Sequence, residues 1–352
     1  MKKEREKIRY GIVGCGGIVS GMHLPALKQC VSAEVVALCD INKEVVERVS
    51  LENRIKKVYY SFKDIAEDKE VDVVLIALPP ALNREVVLYS AKRRKHIFLE
   101  KPIAATLKDA KEIIDVCREN NVHLCINHQR RFSSCEQKAR QLIKNGAIGE
   151  LLHIRITFHS TQGFLEYLKD NSWRTNKENN GFWLLWGVHF TDILRFLTDD
   201  EVLHVYAEIG SIIKKVGQGE ESAFALLRTV KGIIGEVQIS CIHYPIDVPS
   251  SRDEKTEIYG SSGTIIYYRQ EGRLELYSKK ERRVFLFKLD QQGYNANMIR
   301  WSRSMHEKFL LSIFKNSNPP VTGEDAYKAL EIIIAGYNAA QNKKVVEINK
   351  GL

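Results

Sequence analysis

Ile8-Arg9-Tyr10-Gly11-Ile12-Val13, followed at once by Gly14-Cys15-Gly16-Gly17-Ile18-Val19, is the stretch that decides the fold. An apolar run meets a glycine cluster, and helix-compatible sequence carries on to about Cys30. Strand, tight turn and helix N-terminus in that order form a pyrophosphate cradle. Gly14 permits the turn, and Gly16 lets backbone N–H groups approach a phosphate with no Cβ in the way. The helix start adds unpaired donors and the positive end of its dipole.

The next strand supports this reading. Glu34-Val35-Val36-Ala37-Leu38-Cys39 ends on Asp40, near the offset of about 20 residues expected for an acid that binds ribose. A carboxylate there accepts from both ribose hydroxyls and repels a 2′-phosphate, which favours NAD over NADP. The plainer alternative makes Asp40 a turn or N-cap residue. Val19 stands where the fingerprint has its third small residue, so helix and strand are expected to pack slightly further apart.

Further on, Val71 to Leu78 is an unbroken apolar run stopped by Pro79-Pro80, as in a parallel strand buried on both faces. Leu82 to Arg94 reads as a helix, His96 to Leu99 as a strand ending at Glu100-Lys101-Pro102, and Val122 to Ile126 as another strand. Thr106 is a candidate cap for the helix running to Asn120. Strands alternating with helices predict a Rossmann-type, doubly wound parallel sheet over residues 1–128, with ligands at the carboxyl ends of its strands.

The rhythm changes after about residue 130. Leu152, Ile154, Ile156 and Phe158 alternate with polar residues, and similar runs follow to about Leu289, separated by Lys231-Gly232 and Ser261-Ser262-Gly263. These predict a second, α+β domain over 129–352 with an open, mostly antiparallel sheet. One face of such a sheet must be covered, which makes a homodimer or homotetramer through it plausible. Trp301, Met305, Phe309 and Ile313 form a helical stripe, and Thr322-x-x-Asp325 opens a last helix, about 323–341, that could return to the first domain.

Composition narrows the function classes. A chain of 352 residues suits two domains, and no apolar stretch approaches bilayer length. The basic start, Met1 to Lys7, carries Glu4 and Glu6 and leads into a buried strand, so a cytoplasmic protein is expected. Seven cysteines with no Cys-x-x-Cys indicate neither disulfides nor a metal centre. The net charge of +9 is spread along the chain and sits on no nucleic-acid module, so neither nucleic acid nor membrane is an expected partner.

Two places carry candidate chemistry. Lys101, at the ligand end of a strand, could stabilise the alkoxide that forms as hydride leaves a hydroxyl-bearing carbon, and the bond to Pro102 could be cis. His189 lies in the apolar stretch Asn180 to Asp192, with Asp192 one turn on. It is either a satisfied core histidine or a base working near pH 7. His23, early in the first helix, reads as local structure.

Taken together, Gly-Cys-Gly-Gly-Ile after the first strand, Leu-Pro-Pro-Ala-Leu at 78–82, Glu-Lys-Pro at 100–102 and Gly-Val-His-x-x-Asp at 187–192 resemble the glucose-fructose oxidoreductase/inositol dehydrogenase/rhizopine catabolism (Gfo/Idh/MocA) family. The resemblance extends over nearly the whole chain. It implies NAD(P)-linked redox chemistry on a sugar, cyclic polyol or nucleotide sugar, with Lys101 and His189 as catalytic pair. The implied cofactor-binding positions are Gly14, Gly16, Gly17, Ile18, Asp40, Leu78, Pro79, Asn83, Glu100 and Lys101. Arg130, Arg131, Trp173, Arg174, Leu185 and Asp192 are candidates for the substrate wall, with salt bridges and packing an equal alternative for the arginines and Trp173. Leu185 departs from the polar residue many members carry four positions before the histidine, and Asn83 from a frequent histidine. A non-catalytic NAD-sensing regulator, or an enzyme that retains its nicotinamide for sugar–sugar redox or glycoside cleavage, stands as the alternative.

Overall fold

A computed structural model of the chain describes residues 7–160, 181–211, 219–242, 252–288 and 294–348. Its first part runs β1 (Ile8–Val13), a π-helical turn (Val19–His23), α1 (Leu24–Lys28), β2 (Ala33–Cys39), α2 (Lys43–Asn53), β3 (Lys57–Tyr59), α3 (Phe62–Glu67) and β4 (Val73–Ile76). It continues with α4 (Pro80–Ala91), β5 (His96–Leu99), α5 (Leu107–Glu119) and β6 (Leu124–Ile126). The six strands form one sheet in the order β3-β2-β1-β4-β5-β6, parallel throughout. That order places the switch point between β1 and β4. Residues Val73 to Ile76 are fully buried, as strands covered on both faces must be.

Local chemistry sets the element ends. Asn42 caps α2 by accepting the Val45 N–H, and Thr106 caps α5 by accepting the Asp109 N–H. Pro80 opens α4 at a position where no amide hydrogen is needed. Val19 is fully buried, and the π-helical turn begins on it. β3, a half-buried strand of three residues, has too short a pattern to stand out in the sequence.

The second part contains α6 (Ser134–Lys144), β7 (Leu151–Ser160), a second π-helical turn (Trp183–Gly187), α7 (Val188–Thr198), β8 (Val202–Gly210), β9 (Ser222–Thr229) and β10 (Ile234–Ser240). After these come β11 (Arg252–Gly260), β12 (Gly263–Tyr268), β13 (Arg273–Ser278), β14 (Arg282–Leu286), α8 (Tyr294–Lys315), α9 (Gly323–Asn342) and β15 (Val346–Glu347). Nine strands make an open sheet in the order β14-β13-β12-β11-β7-β10-β9-β8-β15. The expected antiparallel pairing holds except between β7 and β10, which run parallel. The sequence did not mark β8, because a register shift between Val202 and His204 breaks the two-residue period.

The described elements form two compact units, Met1–Gln129 with Asp290–Tyr327, and Arg130–Leu289 with Lys328–Leu352. The expected boundary is 128/129; the first stretch of the first unit ends at Gln129, and Asp290–Tyr327, which holds α8, belongs to that unit as well. The stripe of Trp301, Met305 and Phe309 is buried there, with Phe309 edge-on to Phe98 of β5. Periodicity showed that this helix buries one face and was silent on what covers it. From Lys328 onward, α9 belongs to the second unit, where the Ile333 carbonyl accepts the Trp183 indole N–H at 3.0 Å.

Candidate active site

In the first unit, four strand ends bring the predicted cofactor residues side by side. Gly14 follows β1 with φ +90°, and a Cβ there would stand 2.3 Å from the Ala77 carbonyl oxygen after β4. Only glycine fits that turn. Gly16 and Gly17 are the reverse case: they are exposed, and a Cβ on either would meet nothing within 4 Å. The backbone beyond the turn therefore faces open space, as a group drawing on its N–H donors requires. Ile18 beside it is 40% exposed.

Asp40, at the end of β2, leans over the glycine turn. One oxygen accepts the Cys15 N–H at 2.7 Å and the other the Asn42 N–H at 2.9 Å. Each carboxylate oxygen has a second lone pair, so two acceptor sites remain for neighbouring hydroxyls. The turn role and the ribose role are thus compatible. The residues present fit a dinucleotide: a glycine cradle, a helix start and an acid at its rim.

Lys101 is positioned from three sides. Glu100 is buried, and its carboxylate accepts the Lys101 N–H at 3.1 Å, the His23 Nε2–H at 2.7 Å and the Asn127 amide at 2.6 Å. Burial alone would raise its pKa; the hydrogen bond and charge of His23, the Lys101 amine and the Asn127 amide outweigh burial and hold it below the usual range. The Lys101–Pro102 bond is cis. Asn83, expected at the cofactor, donates its amide to the Pro102 and Ile103 carbonyls at 3.1 and 3.3 Å, so it fixes the turn after the lysine. Leu78 and Pro79 are half-buried between β4 and α4.

In the second unit, His189 sits in the first turn of α7 and is 4% exposed. Its ring lies 6.0 Å from that of Trp186 and 6.5 Å from that of Phe190. The helix is locked on several sides. A Cβ on Gly187 would come within 2.5 Å of the Trp183 ring, so glycine is what lets the π-helical turn close on that indole. Thr191 donates to the Ala329 carbonyl at 3.1 Å. Leu185 is buried in the same turn.

Three of the predicted wall residues, Arg130, Arg131 and Asp192, form buried ion pairs. Arg130, fully buried, makes two hydrogen bonds to Glu254 at 2.9 and 3.1 Å and lies over the Phe190 ring at 4.9 Å. Arg131 grips Asp192 through two hydrogen bonds. Both pairs lie within the second unit, and the arginines meet the histidine helix at Asp192 and Phe190. Trp173 and Arg174 lie outside the described residues. Sequence reading missed Glu254, Glu136 and Arg269, which tie into the Arg130 pair, because no local pattern links residues on a strand, a helix and two short turns. Among the described residues, no group of three or more His, Cys, Asp or Glu side chains is placed to hold a metal ion, and no helix is long and apolar enough to cross a membrane.

Comparison with known proteins agrees with this anatomy. Residues 8–128 match the model of an oxidoreductase family with an NAD-binding Rossmann fold, and residues 137–266 match the C-terminal domain of the same family. The chain is 25% identical to a myo-inositol 2-dehydrogenase of Thermotoga maritima, covering 97% of this chain and 99% of that protein. It is 28% identical to a 1,5-anhydro-D-fructose reductase of Ensifer adhaerens, covering 98% and 99%. The fold is that of an oxidoreductase from Agrobacterium radiobacter solved with NAD+, L-tartaric acid and magnesium, with a TM-score of 0.86, 23% identity and coverage of 97% and 98%. Glycine cradle, Glu-Lys-Pro turn, histidine helix and both family domains thus coincide in one chain, which belongs to the Gfo/Idh/MocA family of oxidoreductases.

Proposed function

We propose that this protein transfers hydride between NAD and a carbinol carbon of a sugar, cyclic polyol or nucleotide-linked sugar, with Lys101 and His189 as its catalytic pair. The observation that carries the reading is the place of Lys101. It stands at the carboxyl end of β5, with only β4 between that strand and the glycine turn of β1, and its turn is held by Glu100 and Asn83. When bound, the nicotinamide supplies or takes the hydride. The imidazole of His189 takes the hydroxyl proton as the C–O bond becomes a carbonyl, and returns it in the reverse direction. The Lys101 ammonium stabilises the charge on that oxygen.

Asp40 supports NAD over NADP, since a 2′-phosphate would meet a carboxylate. The two relatives named above act, by their names, on a cyclic polyol and an anhydro sugar, which supports polyhydroxylated substrates. Leu185 leaves the helix before His189 apolar, which favours a substrate lacking a polar group there. The protein also pairs with a second copy through the sheet face bearing Phe224 and Leu226, which are 46% and 55% exposed.

The test is an NAD-reduction screen over inositols, aldoses, uronates and nucleotide sugars with wild type, Lys101→Ala and His189→Ala. Each variant should bind NAD as wild type does and lose about 10²–10⁴ in kcat. Full activity in either variant discards the pair.

A further inference from the structure

In the second unit, the helical stretch that leads to His189 begins just after Gly181, and the amides that open it are satisfied from outside the helix. The first N–H groups of a helix find no acceptor within the helix itself. Here Phe182 N–H donates to the Glu220 carbonyl at 3.3 Å, and Trp183 N–H to Glu220 Oε1 at 2.8 Å. Leu184 N–H donates to the Tyr337 hydroxyl oxygen at 3.1 Å, and that hydroxyl donates in turn to Glu220 Oε1 at 2.7 Å. Glu220 precedes β9 and Tyr337 stands on α9, so two segments far apart in sequence close on three successive amides. Gly181 makes room for them: its φ is +113°, and a Cβ there would collide with both the carboxylate and the hydroxyl. Burial raises the Glu220 pKa, and the Tyr337 and Trp183 donors act against that rise by stabilising the charged form.

This cap holds the π-helical turn Trp183–Gly187. A π turn carries one residue more than an α-helical turn, so letting it revert swings the residues before it by about 100° relative to those after it. The side after it is fixed, since Asp192 is held by Arg131 and Thr191 by the Ala329 carbonyl. Slack in the turn therefore falls on Leu185 and Trp186 rather than on His189. The Trp186 ring lies 6.0 Å from the His189 ring and stacks on Phe158 at 5.2 Å.

We propose that Glu220 is a positioning residue for substrate binding: with Tyr337 it holds the turn that sets Leu185 and Trp186 beside His189. Removing the carboxylate takes this acceptor from both the Trp183 N–H and the Tyr337 O–H, and the turn loosens at its start. The role deepens the proposed function and rests on its reading of His189 as the base, with Leu185 in the substrate wall.

Two substitutions separate placement from mere stability. Glu220→Ala opens the cap, whereas Glu220→Gln keeps an acceptor oxygen for both donors. Two readouts need no substrate. Amide hydrogen exchange at Trp183 and Leu184 should quicken at least about tenfold in Glu220→Ala, with Ile193 to Leu197 unchanged. The ring resonances of His189, assigned by their loss in His189→Asn, should shift in Glu220→Ala as the Trp186 ring turns, and return in Glu220→Gln. With substrate, Glu220→Ala should raise KM at least about tenfold while kcat and NAD affinity stay within about threefold, and Glu220→Gln should keep KM within about threefold of wild type. Tyr337→Phe, which keeps the ring and removes the hydroxyl, should move exchange and KM in the same direction as Glu220→Ala. Fast exchange at Trp183 with an unmoved His189 resonance and a wild-type KM would mean that the cap stabilises without placing anything, and overturns the proposal. So does wild-type exchange in Glu220→Ala, or Glu220→Gln as impaired as Glu220→Ala. If wild type oxidises nothing in the substrate screen, the proposed function fails by itself, and exchange and resonances still decide whether Glu220 places the turn.

Discussion

Arg131 and Asp192 are joined by two hydrogen bonds, Nε to Oδ2 at 2.8 Å and Nη2 to Oδ1 at 2.5 Å, across 61 residues of sequence. Asp192 is fully buried and lies three residues after His189 on α7. The pair therefore pins the rotation of the helix that carries the histidine. Arg131→Ala leaves the carboxylate buried without this partner, and should cost about 3–5 kcal/mol in urea unfolding. A loss below about 1 kcal/mol, the level of an exposed pair, would show that the contact does not anchor the helix.

Asp40 and its neighbour should decide the dinucleotide. Ile41 is 89% exposed, so the surface accepts a charge there without disturbing the core. Asp40→Ser combined with Ile41→Arg should move the kcat/KM ratio towards NADP by about 10²-fold or more, a shift of roughly 3 kcal/mol. An unchanged ratio in the double variant would mean that the acid does not read the ribose.

Asn83 should matter to turnover without touching the hydride. Removing its amide leaves the Pro102 and Ile103 carbonyls without their buried donor. Asn83→Ala should cost about 1–3 kcal/mol of stability and lower kcat more than it alters NAD affinity. Equal losses in NAD affinity and kcat would place Asn83 at the cofactor instead, as its sequence position suggested.

Stability should fall on mild acidification. Burial, with His123 alongside, brings the His96 pKa down to about 4, and His96 Nδ1 accepts the His123 N–H at 3.0 Å. In the unfolded chain an imidazole takes up its proton near pH 6.5, so between about 6.5 and 4 the unfolded state binds more protons. The stabilisation is present above that window and is lost as pH drops through it, at up to about 1.4 kcal/mol per pH unit and group. His306, depressed for the same reason, adds to the same slope. Urea midpoints should drop between pH 7 and 5, and less steeply in His96→Asn, whose amide oxygen can stand in for Nδ1. A flat profile over that range would contradict the assignment.

The open sheet face gives a fifth test. On β9, Leu226 lies between Tyr206 of β8 and Glu236 of β10, and Phe224 between Glu208 and Gln238 of the same strands. Phe224→Lys with Leu226→Lys should leave folding intact, since both side chains already face outward, and should weaken self-association at least about tenfold in sedimentation. An unaltered subunit count would place the interface elsewhere.

The sequence alone determined the parallel sheet, the cofactor end and the identity of the lysine turn, because each is written in contiguous residues. Glycines at Gly14 and Gly16, the apolar run into Ile76 and the Glu100-Lys101-Pro102 turn obey local rules of backbone freedom and two-faced burial. Helix caps at Thr106 and Thr322 were legible for the same reason. The tertiary structure alone decided what stands behind those residues. A buried charge or imidazole must find a partner wherever the fold supplies one, and sequence distance places no limit on the choice. So α8 returned to the first unit, Arg130 paired with Glu254, and His23 met His306 across 283 residues.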